Sequence, residues 1–132
     1  MKATELMVGD FVMMGKKIYR CANICGHTND VLLDNGVITN VGNLCPIPLT
    51  PEILEKNDFK KCEGNEWSVF KYKDDDLTKN ALYQVLWSAD ELYLEIVSYT
   101  SNTGDFNRIG IRYVHELQHA LKLCGINKTI EL

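Results

Sequence analysis

Asp30-Val31-Leu32-Leu33-Asp34-Asn35-Gly36-Val37-Ile38-Thr39 decides how the first third of this chain folds. An apolar run, a turn triplet and a second β-branched run follow one another without a gap. Asn-Gly between two such runs is a strong hairpin signal. Both central residues of a type I′ turn take positive φ, which glycine adopts freely and asparagine tolerates. The segment is expected to be a tight hairpin with Val31–Leu33 and Val37–Thr39 as its arms.

Upstream, Val8-Gly9-Asp10 leads into Phe11-Val12-Met13-Met14, Gly15-Lys16 reads as a turn, and Lys17 to Ile24 reads as a strand. Four or five short strands in so little chain predict an SH3-like β-barrel or a bent sheet over residues 1–49. Cys45-Pro46-Ile47-Pro48-Leu49-Thr50-Pro51 marks the boundary, because alternate prolines hold the chain extended and remove backbone donors.

Residues 50–132 are expected to form an α+β subdomain, packed with the first as one compact unit. Thr50 is placed to cap a short helix that has Pro51 at its first position, Ile53 and Leu54 on its apolar side, and Asn57-Asp58 at its end. Strands are expected at 67–72, 82–87, 91–99 and 105–111. In the third of these Leu92, Leu94 and Ile96 share one face. Turns are expected at Asp74-Asp75-Asp76, Ser88-Ala89-Asp90 and 101–104. Tyr113, Val114, Leu117, Ala120, Leu121 and Cys124 recur at helical spacing, with Lys122 in the last turn and Gly125 as the cap. Residues 127–132 suit a short terminal strand. The fold class is therefore α+β, with an antiparallel sheet packed with a C-terminal helix.

Composition narrows the function classes. Of 132 residues, 45% are hydrophobic and 24% charged, which suits a folded domain. The net charge of −4 argues against a generic binder of phosphate backbones. No apolar run approaches the length that spans a bilayer, so no membrane partner is expected. Met1 to Gly9 lacks a signal-peptide core, and five cysteines are an odd number. Free thiols in a cytoplasmic protein are the expectation. Cys21, Cys25 and His27 are not expected to share a metal. Cys21–Cys25 lies in a predicted strand, where four residues span roughly 13 Å.

His115-Glu116-Leu117-Gln118-His119 matches H-E-x-x-H, the pattern in which two helical histidines hold zinc and the glutamate between them acts on the bound water. At about 100° per residue, Leu117 centres the apolar stripe, and His115 and His119 fall together on the opposite, solvent-facing side. A catalytic zinc also needs a third protein ligand. The longer motif H-E-x-x-H-x-x-G-x-x-H requires glycine at 122 and histidine at 125, where this chain has Lys122 and Gly125. After His119, Glu131 is the sole acidic or histidine candidate, and His27 is the remaining histidine.

Three segments carry a resemblance. They are Ala3-Thr4-Glu5-Leu6-Met7-Val8-Gly9-Asp10-Phe11-Val12; Pro46-Ile47-Pro48-Leu49-Thr50-Pro51-Glu52-Ile53-Leu54-Glu55-Lys56-Asn57 followed by Phe59-Lys60-Lys61; and Ile111-Arg112-Tyr113-Val114-His115-Glu116-Leu117-Gln118-His119-Ala120-Leu121. Together they resemble a group of small uncharacterised proteins of gut anaerobes and their phages or mobile elements. The resemblance implies no catalytic residues. In that group the helix looks like YVHQLQ, with glutamine in place of Glu116 and no dependable second histidine, which implies a packing helix.

Three functions follow as expectations. The first is a non-enzymatic accessory or interaction protein with a protein partner, no cofactor and a phage or mobile-element origin. The second is a zinc-dependent metallopeptidase using His115 and His119 as ligands and Glu116 as the base. The third is a nucleic-acid-binding module presenting Lys16, Lys17 and Arg20 near Tyr19.

Overall fold

The computed structural model describes residues 1–62, 68–72, 81–87, 92–98, 106–126 and 128–132; at 81–84, 93–98 and 106–109 the description is of the backbone. The turns expected at Asp74–Asp76, Ser88–Asp90 and 101–104, and the facial alternation along 91–99, lie outside it. The chain divides into two units. Met1–Pro48 joins Tyr113–His119 in the first, and Leu49–Arg112 joins Ala120–Leu132 in the second.

The first unit holds an antiparallel meander of β1 (Phe11–Met14), β2 (Lys17–Cys25), β3 (Asp30–Leu33) and β4 (Ile38–Asn40), in that spatial order. Short 3₁₀ turns at Ala3–Glu5 and Val41–Asn43 flank it. Alternation puts Val12, Cys21, Val31 and Leu33 into a core with Ala3, Leu6, Val41 and Leu44. The sheet does not close, so the barrel expected over 1–49 is an open sheet among the described residues. A register shift between Cys21 and Asn23 bends β2.

The hairpin at 31–39 forms, with a different turn from the one expected. The Gly36 N–H donates to the Leu33 carbonyl at 2.9 Å, the Leu33 N–H donates to Val37 at 2.8 Å, and of the turn residues Gly36 alone has positive φ, at 85°. This is a three-residue loop whose glycine forms the bulge, not a type I′ turn. Asn35 does not take positive φ in such a loop, and its Oδ1 accepts the Val37 N–H at 3.1 Å.

The second unit is built on a five-stranded antiparallel meander: β5 (Phe59–Cys62), β6 (Ser68–Tyr72), β7 (Ala81–Trp87), β8 (Leu92–Ser98) and β9 (Phe106–Gly110). Helix α1 (Pro51–Lys56) precedes it, with the Thr50 hydroxyl accepting the Ile53 N–H at 3.2 Å. β5 has no apolar alternation beyond Phe59, and only pairing with β6 makes it a strand. Phe59 packs on its cross-strand partner Tyr72 with ring centroids 5.1 Å apart.

Helix α2 (Val114–Leu123) contributes residues to both units. Its end is a Schellman cap. Gly125 at φ 75° donates to Lys122 at 3.0 Å, and Ile126 donates to Leu121 at 2.9 Å. No strand forms over 128–132. The segment is held instead by Asn57, which is fully buried: its Nδ2 donates to the Ile53 and Glu131 carbonyls and its Oδ1 accepts the Glu131 N–H, each at 2.7 Å. No described helix is long and apolar enough to cross a membrane.

Candidate functional site

The stripe of α2 is buried as its spacing requires, with Val114, Leu117, Ala120 and Leu121 at 1% exposure or less. The opposite side departs from expectation, since His115 is only 4% exposed. Helix periodicity describes one element alone, and here the N-terminal segment lies over the second face. Thr4, Glu5 and Met7 line an open concavity of about 550 Å³ with His115, Glu116 and His119.

Two side chains of α2 fasten that segment. Gln118 straddles Asp10. Its Nε2 donates to the Gly9 carbonyl and its Oε1 accepts the Phe11 N–H, both at 3.1 Å. One amide thus satisfies a donor and an acceptor of the passing backbone, as a neighbouring strand would. His119 takes the side chain between them: its Nε2 lies 2.6 Å from Oδ2 of Asp10, which is 1% exposed. Oδ2 also accepts the Met7 N–H at 2.7 Å. With Asp10 as the carboxylate, which only accepts, Nε2 of His119 is the donor of this bond.

His115 stacks parallel to Tyr113 at 5.9 Å and meets His119 edge-on at 5.7 Å. Its Nδ1 and the Oδ1 of Asp10 are both buried without a partner. Burial lowers the His115 pKa below the usual histidine value. The Asp10 charge opposes that shift, His119 adds to it, and Glu5 opposes it.

A zinc held by both His119 and Asp10 would require the hydrogen bond between them to open. A tetrahedral zinc with bonds near 2.0–2.1 Å would hold two ligand atoms ~3.3 Å apart. His119 Nε2 and Asp10 Oδ2 are closer than that, as a direct hydrogen bond requires. Among the described residues no three His, Cys, Asp or Glu side chains are grouped to hold an ion. Cys21 and Cys25 are likewise apart in character. Cys21 is buried, and burial, then Asp10 and Asp34, push its thiol up to about 11. Cys25 is exposed, with its thiol pKa lowered by the Thr28 hydroxyl and then by the Thr28 and His27 backbone.

Arg20 lies over the Phe11 ring at 4.5 Å, and Tyr19 packs half-buried against the core cluster. That packing takes up part of the surface that Tyr19 could offer to a base.

A second concavity, of about 290 Å³, opens on the first sheet. Ile24, Cys25, Thr28, Leu32 and Ile38 line it. Leu32 and Ile38 are cross-strand partners, and Ile38 is 70% exposed. It belongs to β4, which pairs with β3 on one side and with no described strand on the other.

What sequence reasoning missed is Asp10 and Gln118. In the sequence Asp10 simply leads into a strand, and 109 positions separate it from His119. A buried carboxylate gives no local sign of its partner. Neither a protein-family model, nor a curated protein, nor a solved structure matches the chain.

Proposed function

We propose that this chain is a non-enzymatic accessory protein that binds an extended polypeptide along the outer edge of β4. The observation that carries this reading is Ile38, an apolar residue 70% exposed on an edge strand and standing over the Ile24/Leu32 concavity. An open edge supplies backbone donors and acceptors to a partner strand, and a neighbouring pocket takes alternate side chains of it. The partner is therefore a β-forming segment with an aliphatic or aromatic residue at the position facing Leu32 and Ile38. Within this proposal the first sheet is an SH3-like sheet left open at that edge. The resemblance to small uncharacterised proteins of gut anaerobes and their phages or mobile elements implies no catalytic residues, and an origin in a phage or mobile element is part of the proposal. A cytoplasmic setting is part of the proposal, supported by five free thiols.

The commitment of His119 to Asp10 and of Gln118 to Gly9 and Phe11 supports the non-enzymatic half of the reading. Gln118 and His119 fasten the fold. The test is selection from a displayed peptide library on the wild-type protein, with the Ile38→Asp variant as counter-selection. Enriched peptides should slow amide exchange at 37–40. Equal recovery on both proteins, or protection elsewhere only, would sink the reading.

A further inference from the structure

We propose that Asp10, His115 and His119 form an acid-triggered latch that releases residues 1–10 from helix α2. The basis is geometric. Asp10 Oδ2 already serves two donors, the Met7 N–H at 2.7 Å and His119 Nε2 at 2.6 Å. Its Oδ1 is buried and idle, and so is Nδ1 of His115. Asp10 and His115 are 1% and 4% exposed, so neither idle atom has water as an alternative partner.

Every group facing His115 bears on the outcome. Glu5 and Thr4 come from the 3₁₀ turn, and Met7 and Asp10 from the segment after it. Glu116 and His119 come from the helix, and Tyr113 lies stacked at its base. At neutral pH the uncharged imidazole packs on Tyr113, and Asp10 is left to Met7 and His119. A proton on His115 places a cation on a ring that is only 4% exposed, 5.7 Å from the His119 ring. Glu5 and Asp10 favour that cation, while burial and His119 oppose it, and burial is the largest influence. The proton on buried Nδ1 needs an acceptor, which Asp10, Glu5 or admitted solvent can supply. Turning Asp10 or Glu5 toward the ring pulls on the segment that carries both and strains the Oδ2 bonds to Met7 and His119, and admitting solvent lifts that segment. Either way the bonds made by Gln118 to Gly9 and Phe11 lose their support, and the segment carrying Ala3 and Leu6 is freed.

The experiment is amide exchange on the full chain at pH 7.5, 6.5 and 5.5, corrected for intrinsic rates. The reporters are Met7, whose N–H is held by Asp10, and Phe11, whose N–H is held by Gln118. Leu33, bonded within the hairpin, is the reference. Protection of Met7 and Phe11 should fall at least about tenfold across this range while that of Leu33 holds, which is the local-opening signature. His115→Phe, which keeps a ring on Tyr113, should remove the pH dependence. The latch is overturned by protection independent of pH, by a fall shared with Leu33, or by a His115→Phe profile matching wild type. Should that variant not fold, the imidazole titration of the wild-type protein decides. A His115 midpoint below about 6.5 that coincides with the opening supports the latch, and one at or above it overturns it.

Discussion

Each unit of this protein fastens a terminal segment with one side-chain amide. In the first, Gln118 bonds the Gly9 carbonyl and the Phe11 N–H; in the second, Asn57 bonds the carbonyl and N–H of Glu131. The surroundings differ. Asn57 is fully buried and also bonds its own helix through the Ile53 carbonyl. Gln118 is half-buried and sits beside Asp10, His119 and His115. A neutral amide in an enclosed site makes a permanent tie. The same amide beside titratable rings makes a tie that protons can loosen. The comparison separates strength from responsiveness, and the two are expected to reside in different units.

The largest effect should come from the packing under the first tie. Leu117 is fully buried beside Gln118 in the helix, and Leu117→Ala is expected to cost about 2–5 kcal/mol in a urea unfolding curve. Asn57→Ala should follow at about 2–3 kcal/mol, because it leaves the Glu131 N–H and carbonyl without their partner. Its loss should be the same at pH 7.5 and 5.5. A strong pH dependence of that loss would erase the contrast between the units.

The legible part of this fold was the local part. Asn35-Gly36, Thr50-Pro51, the stripe through Leu117 and the Gly125 cap each depend on a few adjacent residues, and each formed an element where expected. Turn chemistry was less legible. The loop takes positive φ at Gly36 alone, and the Asn35 Oδ1 accepts the Val37 N–H, where a type I′ turn would need two residues at positive φ. β5 was not legible, because Lys60-Lys61 becomes strand only through a partner strand. The candidate site was half legible. The motif put His115 and His119 on one helical face, but the covering segment lies more than a hundred residues upstream. The face expected to meet water is thus largely buried at His115.

Gln118→Ala is expected to cost about 1–2 kcal/mol, less than Asn57→Ala because water can reach part of the site it vacates. Its cost should depend on pH through His115. The folded-state pKa of His115 lies below the usual value near 6.5, so the unfolded chain binds the proton more readily. The stability from the neutral ring is fully present above about pH 6.5 and is lost as pH falls from there toward the lowered value. Wild-type unfolding free energy should therefore decline over that window, and His115→Phe should flatten the decline. A wild-type curve level from pH 7 to 5 would remove the titrating tie from the first unit.

The smallest effect tests whether strain alone in the first unit imitates the loosening of its tie. Gly36 has φ 85° and open space where a Cβ would go, so a substitution there meets no neighbour. The cost of Gly36→Ala is then the backbone cost of an L-residue in the left-handed region, roughly 1 kcal/mol. A valine should cost more, because β-branching crowds that conformation further. Nothing in the hairpin loop titrates with His115, so the Gly36→Ala loss should be identical at pH 7.5 and 5.5. The amides of Leu33 and Gly36, bonded across the turn, should exchange faster in the variant, while Met7 and Phe11 keep their wild-type pH profile. If weakening the hairpin also shifted the profile of Met7 and Phe11, the whole unit would be opening together. The contrast drawn between the two amides would then reduce to a difference in overall stability.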